Sequence, residues 1–84
     1  MSLCVRILYF AGARDLAGVD EEPCELPESV RTIEDFSAFV ATLHPELASR
    51  MTSIRIARNE AFANGSDILA NGDVLALIPP VSGG

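Results

Sequence analysis

Asn71-Gly72-Asp73-Val74-Leu75-Ala76-Leu77-Ile78-Pro79-Pro80-Val81-Ser82-Gly83-Gly84 reads as a turn, a strand and a run-off. Asn-Gly is a turn signal. Val74 to Ile78 is apolar at every position, so both faces of that strand want cover and it belongs at the centre of its sheet. Pro79 and Pro80 remove backbone donors and stiffen the exit, which ends strand pairing. Gly83 and Gly84 have no Cβ and adopt any backbone angle. The expected division is a folded domain over residues 1–78 and an extended, flexible tail over residues 79–84.

Upstream, Leu3 to Phe10 alternates with period two. Leu3, Val5, Ile7 and Tyr9 form the expected core face, and Cys4, Arg6, Leu8 and Phe10 the other. Ala11 to Val19 is a connection with room for one helical turn around Arg14 to Ala17. Glu21 to Leu26 returns as a second strand, and Pro23 puts it at an edge. Thr32, with Asp35 three residues on, opens a helix through a variant capping box. Ile33, Phe36, Phe39, Val40 and Leu43 form its apolar stripe, and Pro45 stops it. Ile54 to Arg58 is a third strand, with Ile54 and Ile56 inward, and a short strand is expected near Ala61 to Ala63. This order predicts an α+β chain: a mixed sheet of four to five strands, the first and last adjacent in the middle, with one main helix packed across it. That is the β-grasp, ubiquitin-like arrangement.

The tail suggests the chemistry. Six extended residues reach up to ~20 Å beyond the fold, and two side-chain-free residues thread a narrow channel. A terminal carboxylate is a poor electrophile. Adenylation by an ATP-using partner supplies a leaving group, and sulfur can then displace AMP to leave a thiocarboxylate on Gly84. A side chain at position 84 would crowd both attacks. With glycine near ~7% of residues, a chance terminal pair arises in roughly 0.5% of chains.

Composition removes other classes. Twelve acidic residues against six arginines give a net charge of −6, and there is no lysine. Such a domain repels phosphate backbones, so no nucleic-acid partner is expected, and it is steered toward basic protein surfaces. No membrane association is expected either, because the apolar run Val74 to Val81 is far shorter than the roughly 20 residues of a span. No export signal is read at the N-terminus, and Cys4 and Cys24 suit reduced thiols in a cytoplasm better than a disulfide framework. No metal-ligand spacing, nucleophile–base pair or phosphate loop is present, so no bound cofactor and no stand-alone enzyme are expected.

Ile7-Leu8-Tyr9-Phe10-Ala11, with Arg14-Asp15 and Gly18, resembles the opening of the molybdopterin synthase small subunit, a family of ubiquitin-like sulfur carriers. Asn71-Gly72-Asp73 and Ile78-Pro79-Pro80-Val81-Ser82-Gly83-Gly84 resemble its ending. The resemblance implies a sulfur donor that builds the dithiolene of molybdopterin from cyclic pyranopterin monophosphate. It further implies a large subunit that holds the substrate in a heterotetramer, an E1-like enzyme that adenylates Gly84 with ATP, and a sulfurtransferase as sulfur source. Sulfur carriers of thiamine, tRNA-thiolation or cysteine pathways, and ubiquitin-like modifiers, share the ending and stay open as alternatives.

Other residues are weighed beside the tail. Phe10 and Leu8, with Val74, Ala76 and Ile78 and with Phe62, are expected to join into one exposed apolar patch for a partner. Pro79, Pro80, Val81 and Ser82 extend that contact and Gly83 gives access to Gly84. His44 is expected to be a helix-end residue with no carboxylate partner. Cys4 and Cys24 are expected to be ordinary small side chains, and the run Asp20-Glu21-Glu22 a solvated strand start. Arg14 and Asp15 are either docking residues for the activating enzyme or a solvated pair.

Overall fold

The computed structural model describes residues 2–80. Strand β1 spans Leu3–Tyr9, helix α1 Ala11–Ala17, β2 Glu21–Leu26 and α2 Ile33–Leu43. A 3₁₀ stretch, Pro45–Arg50, leads to β3 Arg55–Arg58, β4 Ala61–Phe62 and β5 Val74–Ile78. The sheet order is β2-β1-β5-β3-β4. β1 and β5 run parallel, with Ile7 beside Leu75 and Tyr9 beside Leu77, and the other neighbours are antiparallel. This is a β-grasp fold of the α+β class, with the all-apolar strand at the centre and the proline-bearing strand at an edge.

One face of the sheet holds the core. Val5, Ile7 and Tyr9 of β1 and Leu75 and Leu77 of β5 pack against Ile33, Phe36 and Val40 of α2. Phe36 and Leu47 are fully enclosed. The start of α2 is closed as its sequence suggests. Thr32 Oγ1 accepts from the Asp35 backbone N–H at 3.1 Å, while Asp35 Oδ2 accepts from the Thr32 N–H at 3.2 Å. Aspartate thus completes the reciprocal box in place of the usual glutamate or glutamine.

One local difference from the sequence reading has a physical cause. The connection after β1 is a seven-residue helix, not a single turn. Its Ala13 is buried against the core, and Gly18, with φ +82, closes it by donating its N–H to the Arg14 carbonyl at 2.8 Å. The β3–β4 hairpin turns through Asn59 and Glu60 at φ 51 and 73. Two positive-φ residues are what a two-residue hairpin turn needs, and here neither is glycine.

Asp73 ties the turn before β5 to β3. Its carboxylate accepts from Arg58 Nε at 2.8 Å, Asn59 Nδ2 at 3.0 Å and the Ala70 N–H at 2.8 Å. Asn59 Oδ1 in turn accepts from the Val74 N–H at 2.9 Å. Gly72, at φ +88, makes the preceding corner and donates to the Cys4 carbonyl at 2.8 Å. These five hydrogen bonds fix where β5 begins, and so where it ends.

Candidate functional site: the open sheet face and the root of the tail

Among the described residues, no helix covers the sheet face away from α2. Alternation along β1 turns Leu8 toward this face, with Phe10 following just past the strand end, and the register does the rest. Leu8 pairs with Ala76, Ala76 with Ala57, and Ala57 with Phe62, forming a row across four strands. Two small alanines between two large side chains leave a depression of about 230 Å³. Val74, Ile78, Phe10 and Glu60 complete its lining. Phe10 is 48% exposed and Phe62 58%. The Phe10 N–H donates to the Leu77 carbonyl at 3.2 Å, which fixes the backbone of that residue beside β5.

The expected apolar patch therefore exists, with Phe62 better placed than its turn-rich surroundings suggested. It sits on β4, and the Arg55 guanidinium carbon lies 4.1 Å from its ring centroid. Stacked cations of this kind are attracted to the ring face. The signal available in the sequence was the spacing of Phe62 from Ala57 across a two-residue turn.

The patch adjoins the root of the tail. Arg55 pairs across the ladder with Ile78, the last residue of β5. Pro79 is half-buried and Pro80 exposed, and both border a groove whose other walls include Ala11, Leu16, Arg50 and Ile54. Val81, Ser82, Gly83 and Gly84 lie outside the described residues.

The remaining candidates fall elsewhere. Arg14 Nε lies 3.7 Å from Asp20 and 4.0 Å from Asp15, all exposed, in pairs that contribute little to stability. Cys4 is exposed, while Cys24 is half-buried on the helix side of β2. Burial, the Glu22 carboxylate and Cys4 raise the Cys24 thiol above its ordinary value, the reverse of an activated nucleophile. His44 does end α2, but it has the carboxylate partner the sequence did not reveal. Its Nε2 lies 2.8 Å from Glu22 Oε2, and its ring meets Tyr9 edge-on with centroids 5.3 Å apart. Glu22 is therefore not a solvated strand start. It pairs with Ile7 and turns toward the helix, and parity with the buried Leu26 was the available signal. Among the described residues, no cluster of three or more His, Cys, Asp or Glu could hold a metal, and no helix is long and apolar enough to cross a membrane.

A small β-grasp domain with an open apolar face, whose central strand ends in two prolines beside that face, is matched by known proteins across nearly its whole length. The molybdopterin synthase sulfur carrier subunit of Chlamydomonas reinhardtii is 40% identical over 82 residues, covering 95% of this chain and 98% of that protein. The corresponding subunit of Homo sapiens is 34% identical over 86 residues, covering 98% and 97%. Among solved structures, SAMP1 from Haloferax volcanii aligns with a TM-score of 0.83 at 30% identity, covering 96% of this chain and 99% of that one. The ThiS family profile spans residues 7–84, from the core face of β1 through Gly83-Gly84, and the chain belongs to the ThiS family.

Proposed function

We propose that this chain is the sulfur carrier subunit of a molybdopterin synthase and acts in the cytoplasm. The observation that carries the reading is the placement of β5. The central strand delivers Pro79 and Pro80 from the edge of the open apolar face, and Val-Ser-Gly-Gly follows in the chain. A partner that covers the face therefore also receives the tail. Identity of 40% to a molybdopterin synthase sulfur carrier subunit over nearly the full length of both chains supports the pathway.

In this reading an E1-like enzyme joins the Gly84 carboxylate to AMP and releases pyrophosphate. A persulfide sulfur on a sulfurtransferase then displaces AMP to give an acyl disulfide, and a second thiol cleaves it, which leaves the thiocarboxylate on Gly84 and a disulfide behind. Gly83 keeps the approach narrow, and Val81 and Ser82 continue the contact begun by Pro79 and Pro80. The large subunit of the synthase, in a heterotetramer, holds the pterin and takes the sulfur, and hydrolysis of the acyl–sulfur bond by water returns Gly84 to a carboxylate. The carrier binds no cofactor and supplies no catalytic side chain; ATP belongs to the activating enzyme.

The test is intact-mass measurement after incubation with ATP, an E1-like enzyme and a sulfur donor. Exchange of one oxygen for one sulfur at the C-terminus is expected, and its loss on deletion of Gly83 and Gly84. A folded variant without the two glycines that still supports pterin sulfuration in cells would refute the reading. Similarity to SAMP1, a small archaeal modifier protein, favours a second reading, conjugation to amines. Recovery of the C-terminus in amide linkage to target proteins, and not as free thiocarboxylate, would select it. Thiamine dependence of a deletion strain with intact molybdoenzyme activity would instead select another sulfur pathway.

A further inference from the structure

Arg55 carries an unbalanced charge inside the surface that the carrier reading, on which this inference rests, assigns to the partner. Arg6 pairs with Glu21 at 2.7 Å, Arg14 with Asp20, and Arg58 with Asp73 at 2.8 Å. Among the described residues Arg55 has no ion pair. Glu60 borders the same depression but sits at the hairpin turn, outside ion-pair distance of Arg55. Arg55 is exposed, and its guanidinium is held in place by the Phe62 ring.

A partner seated over Phe62 must remove water from that guanidinium as well. An arginine cannot shed its proton to escape the cost, and a desolvated, unpaired charge is strongly disfavoured. The contact is favourable only if the partner brings an acceptor, and a carboxylate matches the planar fork of a guanidinium. We propose that the surface of the large synthase subunit covering this face carries an aspartate or glutamate seated against Arg55, so that Arg55 is a docking and specificity determinant. Its place in the ladder gives the pair a second effect. Arg55 stands beside Ile78, where the tail leaves, while Glu60 stands at the other end of the depression. Docking turned end for end would set the partner's carboxylate against Glu60, so the pair also selects the orientation in which the tail meets its channel.

The experiment is calorimetric titration of the full chain into the purified large subunit from the same organism. Variants Arg55→Met, Arg55→Lys and Arg55→Glu are compared with wild type, and each is first checked for an unchanged unfolding midpoint. Methionine keeps an apolar stem over Phe62 and removes only the charge. The expected result is weakening of roughly 30-fold or more for Arg55→Met, because the partner's carboxylate is left buried and alone. Arg55→Lys should fall between wild type and Arg55→Met, Arg55→Glu should be weaker still, and the salt dependence of binding should flatten in Arg55→Met. Binding of Arg55→Met equal to or tighter than wild type would overturn the assignment, since that is what burying a lone cation predicts. If wild type gains sulfur and binds while Arg55→Met binds equally well, only Arg55 loses its role. If wild type neither gains sulfur nor binds, the carrier reading falls and this inference with it.

Discussion

His44 Nε2 lies 2.8 Å from Glu22 Oε2, joining the end of α2 to the edge strand β2. The same carboxylate oxygen accepts from the Tyr9 hydroxyl at 2.5 Å, so one half-buried group ties two strands and a helix together. Burial alone would raise the Glu22 carboxyl, but hydrogen bonds from His44 and Tyr9 hold it below its ordinary value. The same contact, after burial, keeps the Tyr9 hydroxyl protonated far above its usual range.

Because the folded state depresses the Glu22 pKa, its contribution to stability is present above the unfolded value and is lost as pH falls through the folded one. Glu22→Ala is expected to lower the unfolding free energy at neutral pH by roughly 1–2 kcal/mol. Glu22→Gln should flatten the acid limb as pH falls through and below the ordinary carboxylate range. Urea unfolding at a series of pH values measures both. An acid limb identical to wild type would show that the cluster does not titrate with folding.

Asp73 gives a second, independent acid-sensitive point. It is 5% exposed, and although burial pushes its carboxyl up, donors from Ala70, Asn59 and Arg58 push it down further. The sign is the same: stability is lost on acidification through the folded pKa. Asp73→Ala strands the half-buried Arg58 and frees the turn before β5, with an expected loss of roughly 2–3 kcal/mol in chemical denaturation.

Thr32→Ala removes one half of the capping box and should cost about 1 kcal/mol. If the box acts as a unit, Asp35→Ala in the Thr32→Ala background adds less than it does alone, which a double-mutant cycle reads directly.

Phe62→Ala separates stability from docking. The ring is 58% exposed, so the unfolding free energy should change by no more than about 0.5 kcal/mol. Affinity for the large subunit should fall by about 10-fold or more, as for an aromatic anchor at the centre of a contact. An unchanged affinity would place the partner on another face.

The strands were legible because each carries its own parity. β2 and β5 have the expected limits, and the inward residues of β1 are those that alternation picks out. The row Leu8–Ala76–Ala57–Phe62 needed only register in addition. Helix α1 was underestimated because its inward stripe is only Ala13, Leu16 and Ala17, helical in spacing but too short and small to stand out within Ala11–Ala17. The Glu22–His44 pair joins residues 22 apart, so no local window contains it. Arg55 reads as a surface charge until the hairpin folds Phe62 beneath it.

The strand that carries the tail is gripped from both sides, by β1 in parallel and by β3 in antiparallel register. A pull on the C-terminus therefore loads two hydrogen-bonded ladders in shear, and they must give way together before the strand can slide. Under the proposed carrier reading, withdrawal of the chain end from a partner's channel would meet that mechanical resistance and leave the domain whole.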